Sequence, residues 1–307
     1  MIQNTNPAKG HITMATAGII WGLNAPIAKA VMLSVSALSL TTFRMTGGAV
    51  CFWIASLFIK NETVPPKDML RIFFASLLGV VFNQGLFIFG LSQTTPSNAA
   101  IVTTMLPIVT MIVAAIYLKE PITNKKVLGI FMGAIGAFLL IISNGGSSSG
   151  NSNSIIGDIC CMISQFSVAI YLTLYKDLFT KYSPITVSKW MFTYASICFI
   201  PFSFSDVTST EFTTLNISTI AGISFVVIGA TFIAYLFMQI AQKNLRPTVV
   251  SMYNYLQPIV ASIIAYYLGM DSFGWMKWVA IALVFCGVYV VTQSKSRAQL
   301  EAERKIK

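Results

Sequence analysis

Apolar residues along this chain gather into runs of about 20, the length a helix needs to cross a bilayer, and short polar or proline-bearing segments part them. Ten runs can be traced, at about 12–33, 37–59, 69–91, 96–117, 126–142, 155–175, 186–204, 217–240, 247–268 and 273–292. Several lie almost back to back. Pro96 after Thr94-Thr95, and Pro247 after Lys243 and Arg246, mark the breaks, because proline suits a first helical turn. The first run exceeds the apolar core of a signal peptide and carries Asn24, Pro26 and Lys29, so it is expected to stay as a span.

Composition removes the soluble alternative. The 307 residues are 55% hydrophobic and only 10% charged, with a mean hydropathy of +0.74. A soluble domain carries about a quarter charged residues. Most of this surface must therefore meet something other than water, and the expected fold class is an all-α polytopic membrane protein. The net charge of +10 does not point to nucleic acid. Such binders cluster basic residues with aromatics, whereas the Lys and Arg here sit in the short segments between apolar runs. All five cysteines fall inside those runs and read as small hydrophobes rather than disulfides or metal ligands.

The basic residues orient the chain. With the N-terminus in the cytoplasm and each run reversing direction, 17 of the 20 Lys and Arg fall on the cytoplasmic side. They include Lys60, Lys67, Arg71, Lys119, Lys176, Lys181 and Arg246. Outer loops receive Lys277 alone, and Lys29 and Arg44 lie within spans. The positive-inside bias thus predicts ten spans with both termini cytoplasmic. The uncharged stretch SNGGSSSGNSNS reads as an external linker at 143–154 between units 1–142 and 155–293, followed by a cytoplasmic tail at 294–307.

The two units repeat. Pro96 and Pro247, Pro107 and Pro258, and Gly136 and Gly287 each stand 151 positions apart. Leu106-Pro107-Ile108-Val109 falls on Gln257-Pro258-Ile259-Val260, and Glu120 on Asp271. Five spans per unit is an odd number, so the second unit should enter the membrane upside down. Inverted repeats with a site between them are the architecture of alternating-access carriers.

Several segments resemble the drug/metabolite transporter superfamily, its EamA-type permeases in particular. They are Trp21-Gly22, Arg44, the stretch from Gly90 through Pro96-Ser97-Asn98-Ala99-Ala100 and Leu118-Lys119-Glu120 to Gly136, and its looser copy at Arg246-Pro247, Leu256-Gln257-Pro258 and Leu268-Gly269. The resemblance covers about residues 11–293, with Asp271 in place of the usual second Glu and Phe166 in place of a frequent Trp. It implies a ten-span carrier of small metabolites, commonly an exporter in bacteria, in the bacterial inner membrane.

Ionisable groups at mid-span cost on the order of 2.5–3.5 kcal/mol, so those that remain are candidates. No carboxylate lies deep in a run, which disfavours a proton relay. Lys29 is expected to snorkel to headgroups, and Arg44 could pair with an anionic group. His11, the lone histidine, reads as interfacial. Neutral polar residues give a fuller set of candidates for substrate binding. They are Asn24 in the first span, Asn83 and Gln84 in the third, Thr104 in the fourth and Gln165 and Tyr171 in the sixth. Tyr235 and Gln239 follow in the eighth, and Tyr253, Asn254 and Gln257 in the ninth. The competing role for each is hydrogen bonding between helices. A cavity of amides, hydroxyls and aromatics suits a neutral or zwitterionic solute with an apolar part. Gly129, Gly133 and Gly136 give the fifth span a small-residue face, and it and the apolar tenth are expected to pack closely at the periphery.

The expectation is a secondary transporter exporting amino acids or related small solutes, in a monomer or homodimer within the lipid bilayer, with no cofactor, metal or nucleic acid. A passive pore or a flippase of lipid-linked substrates are the alternatives. An intramembrane enzyme lacks a nucleophile–base pair or ligand set in this sequence.

Overall fold

The computed structural model describes residues 6–94, 96–143, 152–210, 215–267 and 274–294. Among them the chain is helical, without strands. Local chemistry sets the helix starts. Asn6, Ser36, Ser183 and Asn216 each cap a helix by accepting from the N–H three residues on. Pro7, Pro66, Pro184 and Pro247 stand in first turns, where no N–H is needed.

The helices in chain order are α1 (Pro7–Val31), α2 (Ala37–Ser56), α3 (Pro66–Ser76), α4 (Leu86–Gln93), α5 (Pro96–Thr103), α6 (Leu106–Tyr117) and α7 (Asn124–Ser143). The second half contains α8 (Ser152–Leu174), the short α9 (Lys176–Lys181), α10 (Pro184–Thr208), α11 (Ile217–Ser224), α12 (Ala234–Asn244), α13 (Pro247–Met252), α14 (Leu256–Tyr267) and α15 (Trp275–Thr292). Among the described residues the apolar runs are helical, with 96–117 and 247–268 each divided between two helices. Five helical stretches among the described residues are long and apolar enough to cross a bilayer as they stand: Pro66–Gln93, Ile155–Leu174, Pro184–Thr208, Ile217–Asn244 and Trp275–Thr292. With the shorter apolar helix Ile101–Tyr117 beside them, they make this a multi-pass membrane protein. Large apolar side chains such as Leu57, Ile116, Phe202, Trp278 and Phe285 face outward, while Gln84, Gln165, Gln239 and Arg44 are buried. That inside-out polarity suits a lipid solvent. The expected linker and tail fall mainly at 144–151 and 295–307, outside the described residues.

Two long helices widen into π turns at corresponding places. Leu77–Gly85 joins α3 to α4, and Phe225–Ile233 joins α11 to α12. Pro107 and Pro258 correspond too. Each follows a break, at Thr104-Met105 and at the 3-10 turn Tyr253–Tyr255, because a proline ring clashes with the carbonyl four residues earlier. Pro26 stays inside an unbroken α1.

Helices 151 positions apart pack against each other head to tail. On α2 and α10, Ser39 meets Thr210, Thr42 meets Ser203 and Trp53 meets Thr193, so one helix ascends as the other descends. On α7 and α15, a Cβ at Gly129 would lie 2.6 Å from Gly287 O, and one at Gly136 would lie 2.6 Å from Ala280 O. Only glycine allows that backbone approach, as small-residue interfaces in membranes require. Gly90 of α4 and Gly157 of α8 approach in the same way.

Lys29 departs from the snorkelling expectation. Its Nζ donates to Leu91 O, Ser92 O and Thr94 O at 2.7, 3.2 and 3.1 Å. The cation satisfies carbonyls left over at the end of α4 and ties α1 to that end. The described ion pairs lie elsewhere, in segments expected to be cytoplasmic. Arg71 forms a fork to Asp177 at 2.8 Å for both bonds. Lys181 and the Tyr182 hydroxyl both reach Asp68, and Lys126 pairs with Glu120 at 2.8 Å.

Candidate functional site

The interior polar residues surround a central cavity with about 90 Å³ of free space. Its wall comes from α1, α2, the first π turn and α4, α5 and α6, α8, α12, and α13 and α14. Among the described residues none comes from α7 or α15, which pack on each other through Gly129, Gly136 and Gly287.

The wall carries the internal repeat. Met14 with Gln165, Trp21 with Leu172, Gln84 with Tyr235, Phe87 with Met238, Thr103 with Asn254, and Leu106 with Gln257 all line it, and the members of each pair stand 151 positions apart. Corresponding positions therefore face one space from the two halves. Chemistry breaks the correspondence in half of them, since Met14 with Gln165, Gln84 with Tyr235 and Leu106 with Gln257 set an amide against an apolar or aromatic side chain. Arg44, the only charged residue in the wall among the described residues, corresponds to the buried Ala195.

The π turns supply much of the polar framework. An i→i+5 turn changes which carbonyls its own helix uses, and here side chains from other helices reach several of them. Trp21 Nε1 donates to Ala230 O at 3.0 Å. The single Tyr235 hydroxyl proton is shared between two acceptors, Asn83 Oδ1 at 2.9 Å and Gly79 O at 3.1 Å. Ser167 Oγ donates to Leu78 O, and Ser164 Oγ to Asn83 O, at 2.7 and 2.8 Å. Thr231 Oγ1 donates back five residues to Val226 O at 2.8 Å and accepts from Arg44 Nε at 3.1 Å. Trp21 and Tyr235 meet edge to face with centroids 5.8 Å apart, which fixes both rings.

Inside this frame some polar atoms are left over. Asn24 Oδ1, both amide atoms of Gln84 and Gln165 Oε1 are buried with no hydrogen-bond partner. A buried unsatisfied group costs about 1–3 kcal/mol, so four of them around one cavity are atoms that a solute or water would complete.

Eight of the twelve sequence candidates line the cavity: Asn24, Arg44, Asn83, Gln84, Gln165, Tyr235, Asn254 and Gln257. The other four stand apart from its wall. Tyr171 lies fully buried with its ring over Gly79, and Gln239 accepts from Ser188 Oγ. Tyr253 pairs its hydroxyl with His11 Nδ1 at 2.7 Å, linking α1 to the break before α14. Thr104 donates to Ile101 O at 2.6 Å within its own turn. Sequence reasoning left Met14, Leu172, Met238 and Val250 out of the candidate set because apolar residues of a wall resemble those facing lipid. The 151-residue offset is the signal that reaches the first three, by way of Gln165, Trp21 and Phe87.

Comparison with known proteins follows the same division of the chain. Residues 8–142 and 155–293 each match the EamA-like transporter family. An uncharacterized transporter of Archaeoglobus fulgidus is 25% identical over 287 residues, covering 94% of this chain and all of that protein. The uncharacterized inner membrane transporter YedA of Escherichia coli is 22% identical, covering 90% and 88% of the two chains. A solved crystal structure superposes with a TM-score of 0.75 at 16% identity, over 94% of this chain and 98% of that one, a likeness of fold.

Proposed function

The chain belongs to the EamA-like transporter family, within the drug/metabolite transporter superfamily, and from that premise we propose that it is a secondary carrier moving a small metabolite by alternating access. The preferred solute is an amino acid or a related small molecule, and the preferred direction is export across a bacterial inner membrane. Ten crossings, two inverted units and cytoplasmic termini complete the reading.

One observation carries it. Pairs of residues at a constant offset line a single cavity, while the helices that correspond by that offset run antiparallel where they touch. Two oppositely directed copies around one site have two arrangements of similar energy, in which either copy can open toward its own side of the membrane. The solute then needs only a small difference in affinity between the two arrangements. The free space of about 90 Å³ is below the range of roughly 300–1,000 Å³ that holds drug-sized ligands. It suits a small solute in a closed-in arrangement.

The test is counterflow into liposomes containing the purified protein, with radiolabelled amino acids as probes. Saturable exchange that Gln257→Ala weakens, at unchanged protein yield, supports the carrier. Linear flux with single-channel steps would indicate the pore, and movement of a labelled lipid without solute flux would indicate the flippase.

A further inference from the structure

Arg44 is the feature of the cavity that the carrier reading does not explain. It is 3% exposed, and its side chain makes one hydrogen bond in the structure, from Nε to Thr231 Oγ1. Among the described residues no Asp or Glu stands within ion-pair distance of it, and no acidic residue lines the cavity. A guanidinium keeps its charge in proteins and presents a planar fork of donors. Among the described residues, the Nη side of that fork has no acceptor.

Resting on the carrier reading, we propose that Arg44 recognises a carboxylate on the solute, so that the cavity takes small monocarboxylates, zwitterions included, and rejects free organic cations. Two parallel N–H···O bonds to a carboxylate would complete the fork. The charge balance sets the number of anionic groups at one. Among the described residues the wall holds no Lys, no His and no second Arg, and the position corresponding to Arg44 is Ala195. A dianion such as a phosphate monoester would leave one charge uncompensated in a low-dielectric interior. The same asymmetry orients the solute. Its carboxylate meets Arg44, and its remaining polar atoms meet the unpartnered Asn24 Oδ1, Gln165 Oε1 and Gln84 amide. Those carbonyl oxygens accept from an ammonium or hydroxyl group without adding the negative charge that would hold a free cation. The edge-to-face pair Trp21 and Tyr235 offers an apolar surface to the rest of the molecule.

The experiment compares acids with their amides, which keep shape and lose the anion. Probes are the neutral L-amino acids, acetate, butyrate and benzoate, each beside its carboxamide. Thermal shift of the purified protein reads binding, and counterflow in liposomes reads transport. At least one acid is expected to stabilise the protein while its amide fails to do so at about tenfold higher concentration, since a site built for a polar group rejects analogues lacking it. Arg44→Gln should weaken the acid by about tenfold or more with the ligand-free melting temperature kept, and Arg44→Lys should retain part of the affinity, as a point charge without the fork does. Equal binding of acid and amide, undiminished acid binding by Arg44→Gln, or no response to any acid would overturn the assignment. If Arg44→Gln does not fold, the acid–amide comparison on the unaltered protein decides. Saturable counterflow of an amide or a sugar would discard the carboxylate and keep the carrier, whereas absence of saturable flux for every solute would remove the carrier itself.

Discussion

Gln84 and Tyr235 stand 151 positions apart in the chain and line the same cavity, each close to the end of a π turn. The tyrosine hydroxyl is turned to Asn83 and Gly79, and the Gln84 amide beside it makes no hydrogen bond of good geometry. One member of the pair therefore belongs to the frame and the other is left for the solute. Tyr235→Phe should lower stability by about 0.5–1.5 kcal/mol for the lost hydrogen bonds. Gln84→Leu should leave stability unchanged or raise it, since it removes unsatisfied atoms, and should weaken solute binding. Thermal melts with and without solute separate the two effects. A Gln84→Leu protein that binds normally would return this residue to packing.

The α7–α15 contact predicts a steric phenotype. Gly129→Ala and Gly287→Ala would each bring a Cβ within 2.6 Å of backbone oxygen on the facing helix. Forcing that separation should cost about 1–3 kcal/mol and lower the detergent melting temperature. Gly229→Ala is the control, because the nearest atoms its Cβ would meet are side-chain carbons, of the Phe225 ring at 3.3 Å and Ile20 at 3.8 Å, and these can shift where a facing backbone cannot. It should stay within about 0.5 kcal/mol of the unaltered protein.

Asp68 is 6% exposed and holds both Lys181 and the Tyr182 hydroxyl, joining the start of α3 to the segment between α9 and α10. Its hydrogen bond raises the Lys181 pKa above the ordinary lysine value. A raised lysine contributes its stability below the unfolded pKa and loses it as pH rises through the folded one. The pair therefore persists until pH exceeds the usual lysine value of about 10.4. Asp68→Asn should loosen this edge at any pH from 6 to 9 and speed the alkylation of a cysteine placed at Ser183. The exposed pair of Arg71 and Asp177 should contribute about 0–1 kcal/mol in a double-mutant cycle.

Lys29→Met keeps the length of the side chain and removes its three bonds to the carbonyls of Leu91, Ser92 and Thr94. The cost should be about 1–3 kcal/mol, read as a lower melting temperature. Solute affinity should remain, since Lys29 does not line the cavity. A normal melt would mean that these carbonyls find water instead.

Topology can be read directly. In a background without the five native cysteines, Ser148→Cys should react with a membrane-impermeant thiol reagent on intact cells. Lys305→Cys should react only after permeabilisation. Labelling of both from one side would remove the inverted arrangement of the two units.

Much of this was legible in the chain, and for definable reasons. The apolar runs are helical where the structure describes them, because bilayer thickness and backbone hydrogen bonding act on local sequence. The helix starts follow capping residues and prolines, which also act locally. Both π turns went unforeseen, since a wider turn has no composition of its own. The short helix α9 was missed as well, being a single amphipathic connection after Tyr175. Among the candidates, Asn83 and Gln84 line the cavity, whereas Tyr171 and Gln239 do not, although each pair reads as equally polar. The difference is one of rotation about a helix axis, which packing sets.

The sequence by itself determined the solvent of this protein, the number and spacing of its apolar stretches, and the duplication at an offset of 151. These follow from composition and from neighbours along the chain. Only the tertiary structure decided that six pairs of corresponding residues close around one space, that Lys29 is consumed by three carbonyls, and that Arg44 is left with an open fork. Whether a buried polar atom is satisfied depends on partners far away in sequence, and the lowest-energy packing of the whole bundle chooses them.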